Sequence, residues 1–296
     1  MKIVLAGATG FLGTALVRSL RNDGHTLILL TRSPSGPDQV RWDPGGATTE
    51  WAQALHGAEA VINLAGAPIS KRWSPAHKRA MVNSRIQATT VLVQAISQLP
   101  TMPAVLLNAS AVGIYGPRGD EVLTENSAPG SGFLASLCQA WEQKALAAAP
   151  QMRVVLLRTG IALDAAGGAL PLMALPFRLF VGGPVGSGRQ YFSWIHRDDW
   201  VAMVTWALIA KSIVGPLNVT SPNPVTNAEF SRTLARVLER PALLPVPAVV
   251  LRVAVGEMAG ELVTGQRVLP AKAEAGGFVF RYPTIDSALR EIYGRA

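Results

Sequence analysis

Lys2-Ile3-Val4-Leu5-Ala6 is a short, mostly apolar run that ends at a glycine turn, and this predicts a buried strand. Beyond the turn, Leu12, Leu16 and Leu20 recur at helical spacing and predict a helix over 11–22, closed by Asp23-Gly24. The next block, Thr26-Leu27-Ile28-Leu29-Leu30-Thr31, is nearly all apolar, as in a strand covered on both faces. The alternation continues, with strands expected at 40–43, 60–66, 105–110 and 154–158. Helices are expected at 51–56, 75–98 and 133–149. Ser74 and Pro75 suit the start of the second of these, and Pro150 ends the third. Strands alternating with helices through residues 1–160 predict an α/β fold with a doubly wound parallel sheet. After Gly160 the pattern breaks into glycine-rich loops. Sheet pieces are expected near 190–195 and 217–219, and helices at 198–210 and 227–240. A connector is expected at Pro241, Pro245 and Pro247, then a helix from Val249, a strand at 278–281 and a closing helix at 284–293.

The first turn, Gly7-Ala8-Thr9-Gly10-Phe11-Leu12-Gly13, has the spacing of a dinucleotide-binding loop. Gly7 lets the chain leave the strand sharply, Gly10 clears space for a pyrophosphate, and Gly13 lets the helix pack close to the strand. The helix start then presents free N–H groups and its positive dipole end to the phosphates. The cofactor-binding set is therefore Gly7, Thr9, Gly10, Phe11, Leu12 and Gly13, with Thr31 and Arg32 after the second strand and Asn63, Leu64, Ala65 and Gly66 after the fourth. An acid just past the second strand would hold a ribose 2′-hydroxyl, whereas an arginine suits a 2′-phosphate. Thr31-Arg32-Ser33 carries no acid, and the expected cofactor is NADP(H). Asp43 is read either as an adenine-side acceptor or as a turn cap.

Composition narrows the class. Hydrophobic residues make up 49% of the chain and charged ones 16%, enough for a sizeable core. The apolar runs are too short to span a bilayer, so no membrane partner is expected. Met1-Lys2 leads straight into the first strand, so no export signal is expected either. The net charge of +8 is scattered, with no basic run longer than Lys71-Arg72. That favours a small anionic substrate or a solvated basic surface over nucleic acid. A single cysteine, Cys138, excludes an intrachain disulfide and suits a reducing cytoplasm. The four histidines are far apart, so no metal site is expected.

Taken together, the glycine turn, Asn63-Leu64-Ala65-Gly66, the stretch from Ser110 to Tyr115-Gly116, Trp194-Ile195-His196-Arg197-Asp198-Asp199 and Leu217-Asn218-Val219 resemble the extended short-chain dehydrogenase/reductases. Ser84-Arg85-Ile86, Ser110-Ala111-Val112-Gly113-Ile114-Tyr115-Gly116 and Leu137-Cys138-Gln139-Ala140-Trp141-Glu142 resemble the branch known only as epimerase family proteins. Gly265-Gln266-Arg267-Val268-Leu269-Pro270, with Phe278 to Pro283, is similar to that branch's C-terminal domain of unknown function. The resemblance implies a Rossmann-type dinucleotide domain over 1–160, with parts of 190–225 returning to it. A smaller C-terminal α/β substrate lobe over 161–296 would include the branch-specific segment 247–296. The implied activity is that of an NADP(H)-dependent oxidoreductase or epimerase on a small substrate. A homodimer is left open.

The superfamily's chemistry uses a tyrosine and, four residues later, a lysine that lowers the phenol pKa. Counting from Glu142, these positions hold Leu134 and Cys138, which cannot do that work, and Ala111 stands at the usual serine or threonine. Tyr115 and Ser110 are the catalytic candidates in their place: Tyr115 as proton donor or pocket wall, Ser110 as a substrate hydrogen-bonder or a serine satisfied by backbone. Cys138 and His196 are read first as structural. Lys71, Arg72, Arg85, Arg158 and Arg189 are candidates for holding anions, and Arg158, at the end of a buried strand, most needs a partner. A non-catalytic NADPH sensor and a protein-interaction module remain alternatives.

Overall fold

In the computed structural model, which describes residues 1–46, 50–242 and 256–294, the first strand β1 (Lys2–Ala6) feeds two cores. Its side chains alternate across the sheet. Ile3 and Leu5 meet Leu16, Val17 and Leu20 of α1 (Phe11–Asn22) and Trp200, Met203, Val204, Ala207 and Leu208 of α5 (Arg197–Ile209). Val4 and Ala6 meet Leu92, Val93 and Ile96 of α2 (Pro75–Ser97) and Ala145 of α3 (Phe133–Leu146) on the other face.

The other strands are β2 (Thr26–Thr31), β3 (Gln39–Arg41), β4 (Ala60–Asn63), β5 (Val105–Ala111), β6 (Val122–Leu123), β7 (Arg153–Thr159), β8 (Ile161–Asp164), β9 (Gly167–Gly168), β10 (Tyr191–Phe192), β11 (Trp194–His196), β12 (Gly215–Val219), β13 (Val225–Thr226) and β14 (Arg267–Val268). Seven of them form one parallel sheet in the order β12-β7-β5-β4-β1-β2-β3. From β1 the chain moves outward through β2 and β3, then returns and moves the other way from β4. The order therefore reverses between β1 and β4, and a crevice opens at their carboxyl ends.

A third cluster lies beyond the sheet. Leu163, Phe192 and Trp194 pack with α4 (Leu170–Arg178), α6 (Asn227–Leu238) and the last helix, Ile285–Ile292. Two expectations are corrected here. The 190–195 segment splits into β10 and β11, and β11 pairs with β8 rather than with the main sheet. Gly160 permits this, since a Cβ there would meet the Ser193 carbonyl oxygen at 2.7 Å. Residues 278–281 form no strand. Their donors are taken elsewhere: Phe278 N–H bonds the Ala273 carbonyl, and Arg281 and Tyr282 N–H both bond the Asp199 carboxylate at 2.9 Å. The start of the helix expected from Val249, with Pro245 and Pro247, lies outside the described residues.

Candidate functional site

The crevice is built by glycines with separable reasons. Gly7 has φ +83°, and a Cβ on it would lie 2.6 Å from the Leu64 carbonyl carbon, so the loop after β4 rests directly on the turn. A Cβ on Gly13 would lie 2.3 Å from the Gly7 oxygen, so α1 can approach the turn only without one. Gly10 differs. Its φ of −78° suits any residue, and a Cβ would meet only the Gly7 oxygen, at an ordinary 3.5 Å. Nothing in the described chain requires glycine there, and what it leaves is room for a ligand to approach the backbone. Gly10 is also the N-cap of α1, with no side-chain cap and no acid in the first turn. The free N–H groups of Phe11 and Leu12 and the dipole are thus available to an anion. Thr9 is exposed at the turn. The Phe11 ring lies under Gly167 and Gly168, which ties the loop to the outer lobe.

The β4 side of the crevice is held from beneath. Asn63 is fully buried, and its amide donates to Thr89 Oγ1 at 2.9 Å and Asn108 Oδ1 at 2.7 Å. Its oxygen accepts from Ala65 N–H, which fixes the run Leu64-Ala65-Gly66. The Asn63 side chain therefore positions the loop, its two amide hydrogens already spent on Thr89 and Asn108. Trp141 Nε1 donates to the same Thr89 hydroxyl. At the opposite end, Arg32 follows β2 as an exposed guanidinium with no partner among the described residues, and the Thr31 hydroxyl accepts from Ser33 N–H. Asp43 accepts from Gly45 N–H at 3.1 Å, which is the turn-cap reading.

Ser110 and Tyr115 are brought together, but inside the protein. Tyr115 is wholly buried; its hydroxyl donates to Asn218 Oδ1 at 2.7 Å and accepts from Arg158 Nη1 at 2.9 Å. Arg158 clamps Glu142 through two bonds of 2.8 and 2.9 Å, and Ser110 Oγ donates to that carboxylate at 2.7 Å. Asn218 Nδ2 reaches on to the Leu269 carbonyl, and Glu125 takes the Asn218 and Lys272 N–H groups. Burial pushes the Tyr115 phenol pKa up, and Arg158 offsets only part of that. Burial opposes the Arg158 charge, and the Glu142 carboxylate more than reverses this. A phenol with its donor and acceptor both spent, and no exposed surface, is poorly placed to give a proton to a substrate. The expectation of Tyr115 as proton donor, and of Ser110 as substrate contact, is corrected on that ground: both brace the β5–β7–β12 end of the sheet. The sequence marked Glu142 and Asn218 only as parts of family motifs and gave no sign of Glu125 or of these pairings. The demand of Arg158 for a partner was the available signal, but it did not say which acid.

The face that α3 turns toward Gly113 is apolar. A Cβ on Gly113 would touch Leu134 Cβ at 3.1 Å, and Leu134, like Ile69, Val82 and Phe133, packs against the buried cluster of Trp73, Met81 and Leu137. Cys138 lies buried behind it, its thiol pushed up to about 11 by burial and then by the Glu142 charge. The thiol should therefore resist iodoacetamide at pH 8 in the native protein and react within minutes in guanidinium chloride; comparable native labelling would contradict its burial. Because the unfolded thiol gives up its proton first, Cys138 should also lower stability as pH rises from about 9 to about 11. His196 is the N-cap of α5: Nδ1 accepts from Asp198 N–H and Nε2 pairs with Glu291 at 2.8 Å. It is buried and structural. Of the cationic candidates, Lys71 and Arg189 are exposed without side-chain partners among the described residues, and Arg158 is spent on Glu142. Among the described residues no cluster of His, Cys, Asp and Glu could hold a metal ion, and no helix is long and apolar enough to cross a membrane.

Comparison with known proteins agrees with this architecture. The model of the NAD-dependent epimerase/dehydratase family matches residues 3–219, and a domain of unknown function matches residues 246–292. The chain is 44% identical over 300 residues to the Arabidopsis thaliana "epimerase family protein SDR39U1 homolog, chloroplastic", covering 99% of this chain and 86% of that protein. It is similar to the crystal structure of human epimerase family protein SDR39U1 with NADPH, at TM-score 0.91 and 36% identity, covering 100% of both chains. A nucleoside-diphosphate sugar epimerase from Corynebacterium glutamicum matches at TM-score 0.83 and 34% identity, over 99% of this chain and 58% of that one.

Proposed function

The chain belongs to the NAD-dependent epimerase/dehydratase family, in its epimerase family protein branch, and from that premise we propose that it binds NADP(H) and exchanges hydride with a small substrate. The observation that carries the reading is Gly10, a glycine that no neighbour requires, at the uncapped start of α1. Gly10 and the free N–H groups of Phe11 and Leu12 would hold the pyrophosphate, and Leu64, Ala65 and Gly66 would pass alongside the cofactor. Arg32 and Thr31 would hold the adenosine ribose and its 2′-phosphate. The human relative was solved with NADPH, and the same cofactor is proposed here.

When bound, NADPH supplies the hydride; the chain's own contribution is to orient it and exclude water. Leu134, Phe133 and Trp73 form an apolar wall where the superfamily presents a phenol, so a proton would come from water or from the substrate itself. Lys71 or Arg189 could hold an anionic group of the substrate. That apolar wall also favours a second reading, an NADPH-responsive protein without turnover. Oxidation of NADPH with any of a panel of small carbonyl compounds would exclude the second reading, and its absence across a broad panel would favour it. A cytoplasmic location and a homodimer belong to the same proposal.

Arg32→Ala tests the cofactor assignment. A charge-assisted contact to phosphate contributes about 1.5–3 kcal/mol, so the variant should bind NADPH roughly ten- to a hundredfold more weakly and NADH nearly as before. Equal losses for the two cofactors, read by fluorescence titration, would remove Arg32 from the phosphate.

A further inference from the structure

One shielded guanidinium has no hydrogen-bond acceptor among the described residues. Arg267 of β14 is half-buried, and its Nε is enclosed by the protein without a partner. Its Nη nitrogens have no carboxylate or carbonyl either, and these are the end of the side chain that water reaches. The guanidinium lies over the Tyr191 ring at 5.1 Å. Other shielded arginines show the contrast. Arg158 clamps Glu142, Arg153 gives to the carbonyls of Ala207, Leu208, Ala210 and Ile213, and Arg85 gives to those of Ala67 and Met81. An enclosed donor is costly unless something supplies its acceptor.

The backbone holds Arg267 in place from both sides. Ser193, itself buried, donates to the Gln266 carbonyl at 2.6 Å and accepts from Val268 N–H at 3.0 Å. In the pairing of β14 with β6, Arg267 stands beside Val122, and Val268 beside Leu123. Val268 and Leu123 are fully buried, so Arg267 and the exposed Val122 share the opposite, open face. The acid next to Val122, Glu121, is already held by Arg118 at 2.6 and 2.7 Å. The chain leading to β14 joins this face to the apolar wall. Met258 packs on the cluster around Trp73, a short helix follows over 259–263, and a Cβ on Gly265 would meet the Tyr191 carbonyl oxygen at 2.1 Å. Arg267 thus stands at the far end of a span that begins on the wall of Trp73, Phe133 and Leu134.

Resting on the reading of hydride exchange with a small substrate, we infer that Arg267 binds the acidic group of that substrate, and that this group is a carboxylate. The planar fork of one guanidinium, Nε with an Nη, matches the two oxygens of a carboxylate. A phosphate would turn its further oxygens onto the Tyr191 ring and Val122, which cannot serve them. The carboxylate gives the enclosed Nε its acceptor, and the Tyr191 ring fixes the plane of the fork. Lys71 and Arg189 are exposed cations with no enclosed nitrogen that needs such a partner. The substrate is then a carboxylate with an apolar body, reaching from Arg267 toward the wall.

The test pairs acids with their amides, which keep the shape and lose the charge. Benzoate and hexanoate, with benzamide and hexanamide alongside, are titrated into the full-length protein in the presence of NADPH and followed by ligand-observed NMR. Each acid should bind at least about tenfold more tightly than its amide. Arg267→Met should remove at least about tenfold of acid affinity and leave the amides and NADPH within about twofold, whereas Arg189→Met and Lys71→Met should leave the acids within about twofold. In isotope-labelled wild-type protein, the acids should also move the Arg267 Nε–H resonance downfield, a readout that needs no variant to fold. Equal binding of acids and amides, undiminished acid binding by Arg267→Met, or an Nε–H resonance that stays in place would overturn the inference. Tighter binding of phenyl phosphate than of benzoate would overturn the carboxylate assignment. If the wild-type protein binds no NADPH, the cofactor reading fails by itself, and the same titration of the protein alone still decides the carboxylate site.

Discussion

Gly10→Val should abolish dinucleotide binding and leave the protein folded. The two halves of that outcome rest on different observations. Folding should survive because the Gly10 backbone is extended at φ −78° and ψ 171°, and a Cβ would meet only the Gly7 oxygen at 3.5 Å. Valine is a poor N-cap, but glycine offers no side-chain cap either, so the cost to α1 is about 1 kcal/mol or less. Binding should fail because the branched side chain fills the space between the helix start and a pyrophosphate. The expected loss is at least about a hundredfold in NADPH affinity, roughly 2.7 kcal/mol, with an unchanged circular dichroism spectrum. Gly13→Val is the opposing control. Its Cβ would stand 2.3 Å from the Gly7 oxygen, so this variant should disturb the fold as well as binding. Retained NADPH binding by Gly10→Val would place the cofactor elsewhere.

Arg158→Met should be among the most destabilising single changes in the chain. It leaves the Glu142 carboxylate buried with only the Ser110 hydroxyl, and leaves the Tyr115 hydroxyl without its donor. Removing one partner of a buried pair costs about 3–5 kcal/mol, a large part of a domain's stability. Pairing Arg158→Met with Glu142→Leu should recover much of that loss, since an apolar replacement of both charges leaves none exposed to the penalty. Tyr115→Phe should cost less, about 1–2 kcal/mol, for the lost bond to Asn218 and the orphaned Arg158 donor. Urea unfolding measures all of these. A loss below about 1 kcal/mol for Arg158→Met would mean that water reaches Glu142 and the network is not dry. Tyr115→Phe gives a further contrast. If it lowered turnover by about 10²–10⁴ with stability unchanged, the phenol would be the proton donor that its burial argues against.

The parallel sheet was legible because its strands are covered on both faces and therefore read as unbroken apolar blocks. Thr26-Leu27-Ile28-Leu29-Leu30-Thr31 is β2, with the bounds its pattern suggests. The glycine turn was legible through spacing, although the structure separates what spacing merges: Gly7 and Gly13 serve packing, and only Gly10 is left to a ligand. Elements with few residues were not legible. β6 and β14 are two residues each, and they pair across nearly half of the chain's length, a pairing that no local period records. The apparent strand at 278–281 fails because alternating Phe278 and Phe280 suit a strand equally well as a loop packed on Trp206 whose donors go to Asp199. The site was misread for the same kind of reason. Tyr115 follows β5 near the carboxyl edge, where substrate should lie, and nothing local shows that Arg158 and Asn218, far along the chain, claim its hydroxyl. Arg267 was legible only as part of a motif until its enclosed Nε and its contact with Tyr191 set it apart.

The measurement that bears most directly on the central claim is calorimetric titration of the wild-type protein with NADPH and NADH in parallel. The glycine turn, the uncapped α1 and Arg32, which has no partner among the described residues, predict one site per chain for each cofactor, with NADPH bound about ten- to a hundredfold more tightly. Equal affinity for the two, or no heat of binding with either at concentrations up to about 1 mM, the weak end of specific association, would contradict it.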